Sequence, residues 1–322
     1  MSSHRNWQNS HQSRQFRPWP ECLPGGILNA FVALTFQSRF MSDKIIRRTV
    51  KTSQGMDIFY RESVSNGPPL LCLHGKYGRG ETWHELMSRY GEQFRVIAPD
   101  QRGHGLSDKP LAQYSGEDFA ADAHELLSAL HATPAIVVGH SIGGRNAAYL
   151  AALYPQDVKA LVILDAKAEG PQGPLPVSPD RIPALDGLVG PWPTPYPSYQ
   201  AALDDLWMRF PRESNVRYFL DSLVETADGY EFMFSQNALS AIDACYRGWH
   251  QLLSQIQCPV LLMRADHSWY LTQEESTAML KTLPSASFLE ITGSDHMVYA
   301  DNPDQFYPAF EQFLMKHART PS

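Results

Sequence analysis

The chain has 322 residues, of which 43% are apolar and 19% are charged, a profile typical of a globular protein with a sizeable core. Its 27 Lys and Arg against 34 Asp and Glu give a formal net charge of −7. A mildly acidic chain without a basic stripe is a poor ligand for phosphate backbones, so we expect no nucleic-acid partner. No stretch reaches the roughly 18 apolar residues of a membrane-spanning helix, so we expect no membrane partner either.

Cysteine and histidine spacing gives no sign of a disulfide framework or a metal site. The four cysteines are scattered without paired spacing: Cys22, Cys72, Cys245 and Cys258. Scattered thiols in apolar segments are typical of a reducing compartment, which predicts a cytoplasmic protein. We expect no metal and no cofactor.

The first 42 residues differ from the rest of the chain. Residues 1–20 are rich in Ser, Gln, Asn and Arg and have no helix or strand period, which predicts disorder. Residues 27–36 have the length of a signal-peptide core, but the polar lead before them is too long and no small-residue cleavage pattern follows. We interpret residues 1–42 as a disordered tail, or as an extension produced by a start codon upstream of a true start at Met41.

From residue 45 onward, strand-like and helix-like segments alternate. The predicted strands are residues 45–51, 56–60, 69–73, 94–98, 135–139, 160–164, 259–263 and 286–291. The later ones are short continuous apolar stretches, as expected for parallel strands covered on both faces. This alternation predicts the α/β class, with a doubly wound, mostly parallel, eight-stranded sheet.

Two helices can be predicted from their periodicity. Ser115 is followed three residues later by Asp118, a capping pattern, and the buried stripe after it comprises Phe119, Ala123, Leu126, Leu127 and Leu130. The closing helix repeats the period with Phe306, Phe310, Phe313 and Leu314.

Residues 168–250 interrupt the alternation. They contain no comparable strand; the first part is rich in proline and the second is helical and aromatic, with Trp207, Phe210, Tyr218, Phe219, Phe232, Phe234 and Trp249. We predict that residues 168–250 form a helical cap insertion over the carboxyl edge of the sheet, where ligands bind in such folds. Residues 43–167 and 251–322 would then form the core.

Residues 139–143, Gly-His-Ser-Ile-Gly, match the pattern G-x-S-x-G between a predicted strand and a predicted helix. In that context the serine occupies a sharp, strained turn, and the flanking glycines remove side chains that would clash. Its hydroxyl would stand at a helix N-terminus, which favours negative charge. We therefore predict Ser141 as a nucleophile, the alternative being a plain strand-to-helix turn.

A serine nucleophile needs N–H donors for the oxyanion that forms on its substrate. The loop after the third strand, Leu73-His74-Gly75-Lys76, is placed to supply one donor, and we predict the N–H groups of Lys76 and Ile142 as the oxyanion hole. His74 precedes the serine in the chain, so we interpret it as a structural histidine of that loop.

The serine also needs a base. His296 follows the last predicted strand on a glycine-punctuated loop before the closing helix, and we predict it as the base. His104 is interpreted as a loop-packing residue, and His267 remains a minor contender.

The combination of motifs resembles the α/β-hydrolase fold superfamily over residues 45–316. The motifs that carry the resemblance are "LHGKYG", "VIAPDQRGHGLSDKP", "VVGHSIGG" and "GSDHMVYADNP". Within it, "DQRGHGLSDKP" followed by "GHSIGGRN" is similar to hydrolases of 2-(acetamidomethylene)succinate. The resemblance implies a serine hydrolase with a Ser-His-Asp triad.

The resemblance leaves two candidates for the triad acid. In most of the superfamily an aspartate follows the seventh strand in a Gly-x-x-Asp pattern, but residues 265–268 here read Ala-Asp-His-Ser. Asp266 therefore stands two residues early. Some members, the similar hydrolases included, carry the acid after the sixth strand, where this chain has Asp165. We favour Asp165 over Asp266.

These residues predict hydrolysis of an ester, lactone or amide bond of a small molecule through an acyl-enzyme. Two alternatives stay open: carbon–carbon bond hydrolysis of a β-diketone-like compound, and a slow hydrolase-fold ligand receptor. Aromatic residues of the cap predict an apolar or ring-bearing substrate. Five arginines are either carboxylate ligands or solvated surface charges: Arg145, Arg209, Arg212, Arg217 and Arg247. A homodimer also stays open.

Overall fold

The computed structural model describes residues 45–173 and 192–318. The predictions for residues 1–42 lie outside the described residues, as does the proline-rich part of the cap between 174 and 191.

The described residues form ten strands. They are β1 Ile45–Lys51, β2 Asp57–Ser63, β3 Pro69–Leu73, β4 Arg95–Pro99, β5 Ala135–His140, β6 Val158–Leu164, β7 Leu223–Thr226, β8 Gly229–Phe232, β9 Val260–Ala265 and β10 Ala286–Ile291. Eight of them make one sheet in the order β1-β2-β4-β3-β5-β6-β9-β10. The β1–β2 and β2–β4 pairs are antiparallel and the remaining pairs parallel. The predicted fold class, a mostly parallel eight-stranded sheet, is confirmed.

Nine α-helices accompany the strands within the described residues. They are α1 His84–Tyr90, α2 Gly116–Ala129, α3 Ile142–Leu153, α4 Tyr199–Arg209, α5 Glu213–Leu220, α6 Gln236–Ala244, α7 Gln273–Thr282, α8 Val298–Asp301 and α9 Pro303–Ala318. None of these helices is both long enough and apolar enough to cross a lipid bilayer.

The central strands are apolar throughout because both faces of the sheet are covered. Along β5, Ile136 and Val138 pack into one apolar cluster while Val137, between them, packs into a second cluster on the other face. Strand side chains alternate between faces, so a strand with a core on each side needs an apolar residue at every position. Because β5 and β6 pair in parallel, their carboxyl ends lie side by side at one edge of the sheet.

The predicted helix cap at residue 115 is confirmed. The Ser115 hydroxyl accepts the Asp118 N–H at 3.2 Å, while the Asp118 carboxylate accepts the Ser115 N–H at 2.9 Å. This reciprocal pair satisfies two N–H groups that would otherwise lack partners at the start of α2.

Among residues 168–173 and 192–250 the structure has no strand comparable to the apolar core strands, but it has a short hairpin that the sequence analysis missed. Helices α4 and α5 are followed by the antiparallel strands β7 and β8 and then by helix α6. Each strand has only four residues, and Glu225 and Thr226 in β7 are exposed, so no apolar stretch marks them in the sequence. The assignment of this segment as a cap stays a prediction.

Candidate active site

Ser141 lies on a strained turn between β5 and α3. Its backbone has φ 54° and ψ −121°, in the left-handed region that side chains disfavour. A Cβ atom on Gly139 would lie 2.1 Å from the Gly143 oxygen, and one on Gly143 would lie 2.2 Å from the Leu73 oxygen. Both flanking glycines are therefore required by close backbone approach, as the sequence pattern predicts.

Strained backbone is concentrated around this turn. Among the described non-glycine residues, four have a positive φ: Tyr77, His131, Ser141 and Asp165. All except His131 lie at or beside one cavity, since Tyr77 and Ser141 line it and Asp165 bonds a third lining residue, His296. Such clustering is typical of functional sites, where the surrounding structure holds side chains in unusual directions.

The cavity has a volume of about 820 Å³ and is lined by Lys76, Ser141, Ile142 and His296, among others. The predicted nucleophile, base and oxyanion-hole residues are thus brought to one cavity from three separate parts of the chain. Their chemical roles remain proposals.

The base candidate is paired with a buried carboxylate. The Nδ1 atom of His296 lies 2.7 Å from Oδ2 of Asp165, whose side chain is fully buried at the end of β6. The backbone N–H of Ala265 donates to the other oxygen, Oδ1, at 3.0 Å. A carboxylate held in this way can fix the ring orientation of the histidine and stabilise its protonated form.

Ser268 supports the same carboxylate, and the sequence analysis missed it. Its hydroxyl donates to Oδ2 of Asp165 at 2.7 Å. The same Oγ accepts the N–H groups of Tyr270 at 3.1 Å and Leu271 at 2.8 Å. The signal that could have identified it is its position, because Ser268 stands where the Gly-x-x-Asp pattern would place the acid.

Asp266, the alternative candidate for the acid, bonds backbone N–H groups. Its carboxylate accepts the backbone N–H groups of Gly293 at 2.9 Å and of Ser294 and His267 at 3.0 Å each. These bonds brace the loop that precedes His296. No hydrogen bond within the described residues joins Asp266 to the His296 ring.

His140, the residue before the nucleophile, links the serine turn to the base loop. Its Nε2 atom lies 2.9 Å from the backbone oxygen of His296, and the two rings are 4.6 Å apart between centroids. Burial lowers the pKa of His140 well below its ordinary value, so the ring is neutral and Nε2 carries the proton that it donates. Trp269 and Tyr270 also flank the His296 ring, at 5.2 and 5.3 Å between ring centroids.

His74 has the contacts of a loop-bracing residue. Its Nε2 accepts the Gln101 N–H at 2.9 Å, and its Nδ1–H donates to the Gly75 oxygen at 2.8 Å. Full burial lowers the pKa of His74 to about 4, which keeps the ring neutral.

The other two histidines considered from the sequence lie elsewhere. His104 is buried, with Nδ1 2.9 Å from the Arg102 oxygen, and burial lowers its pKa to about 3. His267 is exposed over 66% of its side chain and lies beside Asp266. Neither histidine is among the described residues that line the cavity.

Lys76 ties the loop after β3 to helix α6. Its ammonium pairs with both carboxylate oxygens of Asp243, at 2.7 and 2.9 Å. The pair joins the loop that carries Lys76, which lines the cavity together with Ser141, to the segment between β6 and β9.

Only Arg209 of the five arginines belongs to the described lining of the cavity. Arg212 instead reaches the base loop, where it donates to the Gly293 oxygen at 2.9 Å and lies 3.7 Å from the Asp295 carboxylate. Arg247 bonds backbone carbonyls, and Arg145 is buried below the cavity wall. Across the described residues, no group of three or more His, Cys, Asp and Glu side chains could hold a metal ion.

Comparisons with known proteins agree with the fold described above. The family model described as alpha/beta hydrolase fold matches residues 68–218. A curated relative, 2-(acetamidomethylene)succinate hydrolase of Mesorhizobium japonicum, is 29% identical over 85% of this chain and 96% of its own. The sn-1-specific diacylglycerol lipase ABHD11 of Mus musculus is 28% identical over 77% of this chain and 81% of its own.

A solved structure has a similar fold. The crystal structure of E-2-(acetamidomethylene)succinate hydrolase superposes with a TM-score of 0.71 at 26% identity, covering 84% of this chain and 99% of that one. The sheet order, the family model and these relatives show that the chain has the α/β-hydrolase fold. Its curated relatives carry the names of hydrolases, esterases and lipases.

Proposed function

We propose that the protein is a serine hydrolase that cleaves an ester, lactone or amide bond of a small molecule through an acyl-enzyme. One observation carries the proposal: Ser141, on its strained turn, lines the same cavity as His296, whose ring is paired with the buried carboxylate of Asp165. This is the set of groups that activates a serine hydroxyl and stores the resulting positive charge.

In the proposed mechanism, Nε2 of His296 takes the proton of the Ser141 hydroxyl as Oγ attacks the substrate carbonyl carbon. Asp165 stabilises the imidazolium that forms. The N–H groups of Lys76 and Ile142 stabilise the negative oxygen of the tetrahedral intermediate. His296 then gives its proton to the leaving group, and the acyl group remains on Ser141.

The second half of the reaction reverses these roles. Water attacks the acyl carbon while His296 accepts its proton, and the serine leaves with that proton as the acid product departs. The oxyanion donors act in both halves because each half passes through a negative tetrahedral species.

The cavity is suited to a small substrate with an apolar part. Its volume of about 820 Å³ falls in the usual range for small-molecule sites, and Tyr77, Phe210 and Phe219 contribute aromatic surface. Phe210 and Phe219 belong to the segment between β6 and β9, which supports its assignment as a cap over the site. The relatives' names, a succinate-derivative hydrolase and a diacylglycerol lipase, also point to small carbonyl substrates.

A substrate panel tests the proposal. Phenyl esters, lactones and anilides of short acids would be assayed with the wild type and with Ser141→Ala, together with a β-diketone as a probe of carbon–carbon cleavage. We expect turnover of at least one ester, lactone or amide that Ser141→Ala reduces at least a thousandfold. Turnover of the β-diketone alone, or turnover that survives Ser141→Ala, would overturn the proposal.

A further inference from the structure

The charged side chains that the described residues contribute to the cavity lining are paired, with one exception. Lys76 pairs with Asp243 at 2.7 Å, and Arg209 pairs with Asp205 at 2.8 Å. Lys167 also lines the cavity, yet within residues 45–173 and 192–318 no carboxylate lies within ion-pair distance of its ammonium. Its ammonium instead lies over the face of an aromatic ring, with Nζ 5.1 Å from the centroid of Tyr270.

The carboxylates among the described lining residues do not compensate the positive charge of Lys167. Asp295 lines the cavity next to His296, but its carboxylate lies 3.7 Å from the guanidinium of Arg212. The carboxylates of the lining are thus matched by other cations, and a half-buried ammonium is left beside the reacting groups. Partial burial of an unpaired charge costs free energy, which an anion brought by a ligand would offset.

Lys167 is held close to the base side of the site. It follows Asp165 by two residues, and the Tyr246 hydroxyl donates to its backbone oxygen at 3.0 Å. The Tyr270 ring beneath its ammonium is the one that lies 5.3 Å from the His296 ring. A substrate group bound by Lys167 would therefore be near the bond that Ser141 attacks.

A second uncompensated cation lies behind the same wall. Arg145 is only 2% exposed, and neither Nη1 nor Nη2 has a hydrogen-bond partner in the described part of the chain. Its guanidinium lies 5.6 Å from the ring centroids of both Phe119 and Tyr246. In surroundings of low dielectric, its charge adds to that of Lys167 and makes this end of the cavity attractive to an anion.

We propose that Lys167 binds a carboxylate of the substrate, which makes the protein a hydrolase of anionic small molecules. Arg145 is buried outside the lining and adds only a longer-range attraction, so Lys167 is the one unpaired cation that the described lining residues offer to a ligand. One ammonium in contact favours a singly charged carboxylate over a doubly charged phosphate monoester. The inference rests on the proposed function, because it assigns the substrate class of that same cavity.

Three esters test it: phenyl hexanoate as the neutral reference, phenyl hydrogen adipate with a carboxylate on the acyl side, and 3-carboxyphenyl hexanoate with one on the leaving group. The measured quantity is the preference, defined as kcat/KM for an anionic ester divided by kcat/KM for the reference. We expect the wild type to prefer one anionic ester at least tenfold. Lys167→Met should lower that preference about tenfold or more, and Lys167→Arg should restore most of it.

Lys281→Met is the matched control, since Lys281 is an exposed lysine in the last turn of α7, and it should retain the wild-type preference. High salt should also weaken the wild-type preference, because ions screen the attraction. A wild type without preference for either anionic ester, or a preference that Lys167→Met leaves intact, would overturn the inference alone. Turnover of other substrates in the panel but of none of these three esters would also overturn the inference alone. Absence of Ser141-dependent turnover for these esters and for every lactone and anilide in the panel would overturn the proposed function, and the inference with it.

Discussion

The His296 ring lies 2.7 Å from the Asp165 carboxylate although the two residues are 131 positions apart in the chain. Asp165 follows β6, and Ser141 follows the neighbouring strand β5. The acid candidate and the nucleophile candidate therefore emerge side by side at the same sheet edge. From the loop after β10, the histidine bonds Asp165 and lines the same cavity as Ser141. This relationship makes the choice between Asp165 and Asp266 testable.

Asp165→Asn should abolish turnover. Asparagine keeps the shape of the side chain but cannot stabilise the imidazolium, and its amide N–H₂ would oppose the Nδ1–H of His296 and favour the wrong tautomer. We expect kcat to fall about 10⁴-fold, with a nearly unchanged thermal unfolding temperature. Steady-state kinetics and circular dichroism melting check both parts.

Asp266→Asn provides the comparison. An amide oxygen can still accept a backbone N–H in the base loop, so we expect most of the turnover to remain and the free energy of unfolding to fall by about 1 kcal/mol. Retained activity in Asp165→Asn together with lost activity in Asp266→Asn would show that Asp266 is the acid.

Ser268→Ala should lower kcat about tenfold with little change in KM. The substitution removes the hydroxyl that donates to Oδ2 of Asp165 at 2.7 Å, so the carboxylate and the His296 ring are held less firmly. Ser268→Thr keeps the hydroxyl and should restore most of the rate. Equal kcat values in wild type and Ser268→Ala would exclude a positioning role for this hydroxyl.

Gly143→Ala should damage both activity and stability. The new Cβ would lie 2.2 Å from the Leu73 oxygen and 2.6 Å from the His74 oxygen, which are backbone atoms and cannot rotate away. We expect the loop that carries Lys76 to shift, kcat to fall about 100-fold and the free energy of unfolding to fall by about 1–3 kcal/mol.

Gly55→Asn is the control for Gly143→Ala. A Cβ on Gly55 meets no atom within 4 Å, and asparagine tolerates the φ of 82° found there. Wild-type kinetics in Gly143→Ala would contradict the close packing of the serine turn against the loop after β3.

His74 should make the protein sensitive to mild acid. Its pKa is lowered to about 4 in the folded state, whereas an unfolded histidine titrates near about 6.5, so protons bind preferentially to the unfolded chain between these values. The stabilisation is complete above about pH 6.5 and is lost as the pH falls toward 4. Protonation of Nε2 would also break the bond from the Gln101 N–H.

Urea unfolding at pH 7.5 and pH 5 measures this effect. At pH 5 the solution is about 1.5 units below the pKa of an unfolded histidine. Between pH 7.5 and pH 5, the free energy of unfolding of the wild type should therefore fall by about 2 kcal/mol more than that of His74→Gln. His267→Gln changes an exposed histidine and should keep the wild-type slope. The same pH dependence in wild type and His74→Gln would show that His74 does not carry the acid sensitivity.

Much of the fold follows from sequence because local pattern and burial agree. Strands such as β5, buried at every position, appear as continuous apolar stretches, and the Ser115–Asp118 cap is encoded within four residues. The β7–β8 hairpin could not be predicted, since its strands are four residues long and are mostly exposed in β7 and half-buried in β8.

In the candidate site, too, some residues follow from a sequence pattern and others are identified only by the fold. Ser141 is marked by the short G-x-S-x-G pattern between a strand and a helix, and His296 by its place after the last strand. Ser268 stands at the usual position of the acid, but its bond joins residues 103 positions apart, so the sequence does not reveal that its partner is Asp165. Lys167 is likewise inconspicuous until its neighbours are known, because the absence of a charged partner is a property of the folded cavity.

The most direct test is to identify the residue that carries the acyl group. The wild type would be mixed with a phenyl ester that it turns over, quenched with acid within the first turnover and mapped by peptide mass spectrometry, with Ser141→Ala treated in parallel. We predict an added acyl mass on the peptide containing Ser141 and none in Ser141→Ala. An acyl group on another residue, or rapid hydrolysis by Ser141→Ala, would contradict the assignment of Ser141 as the nucleophile.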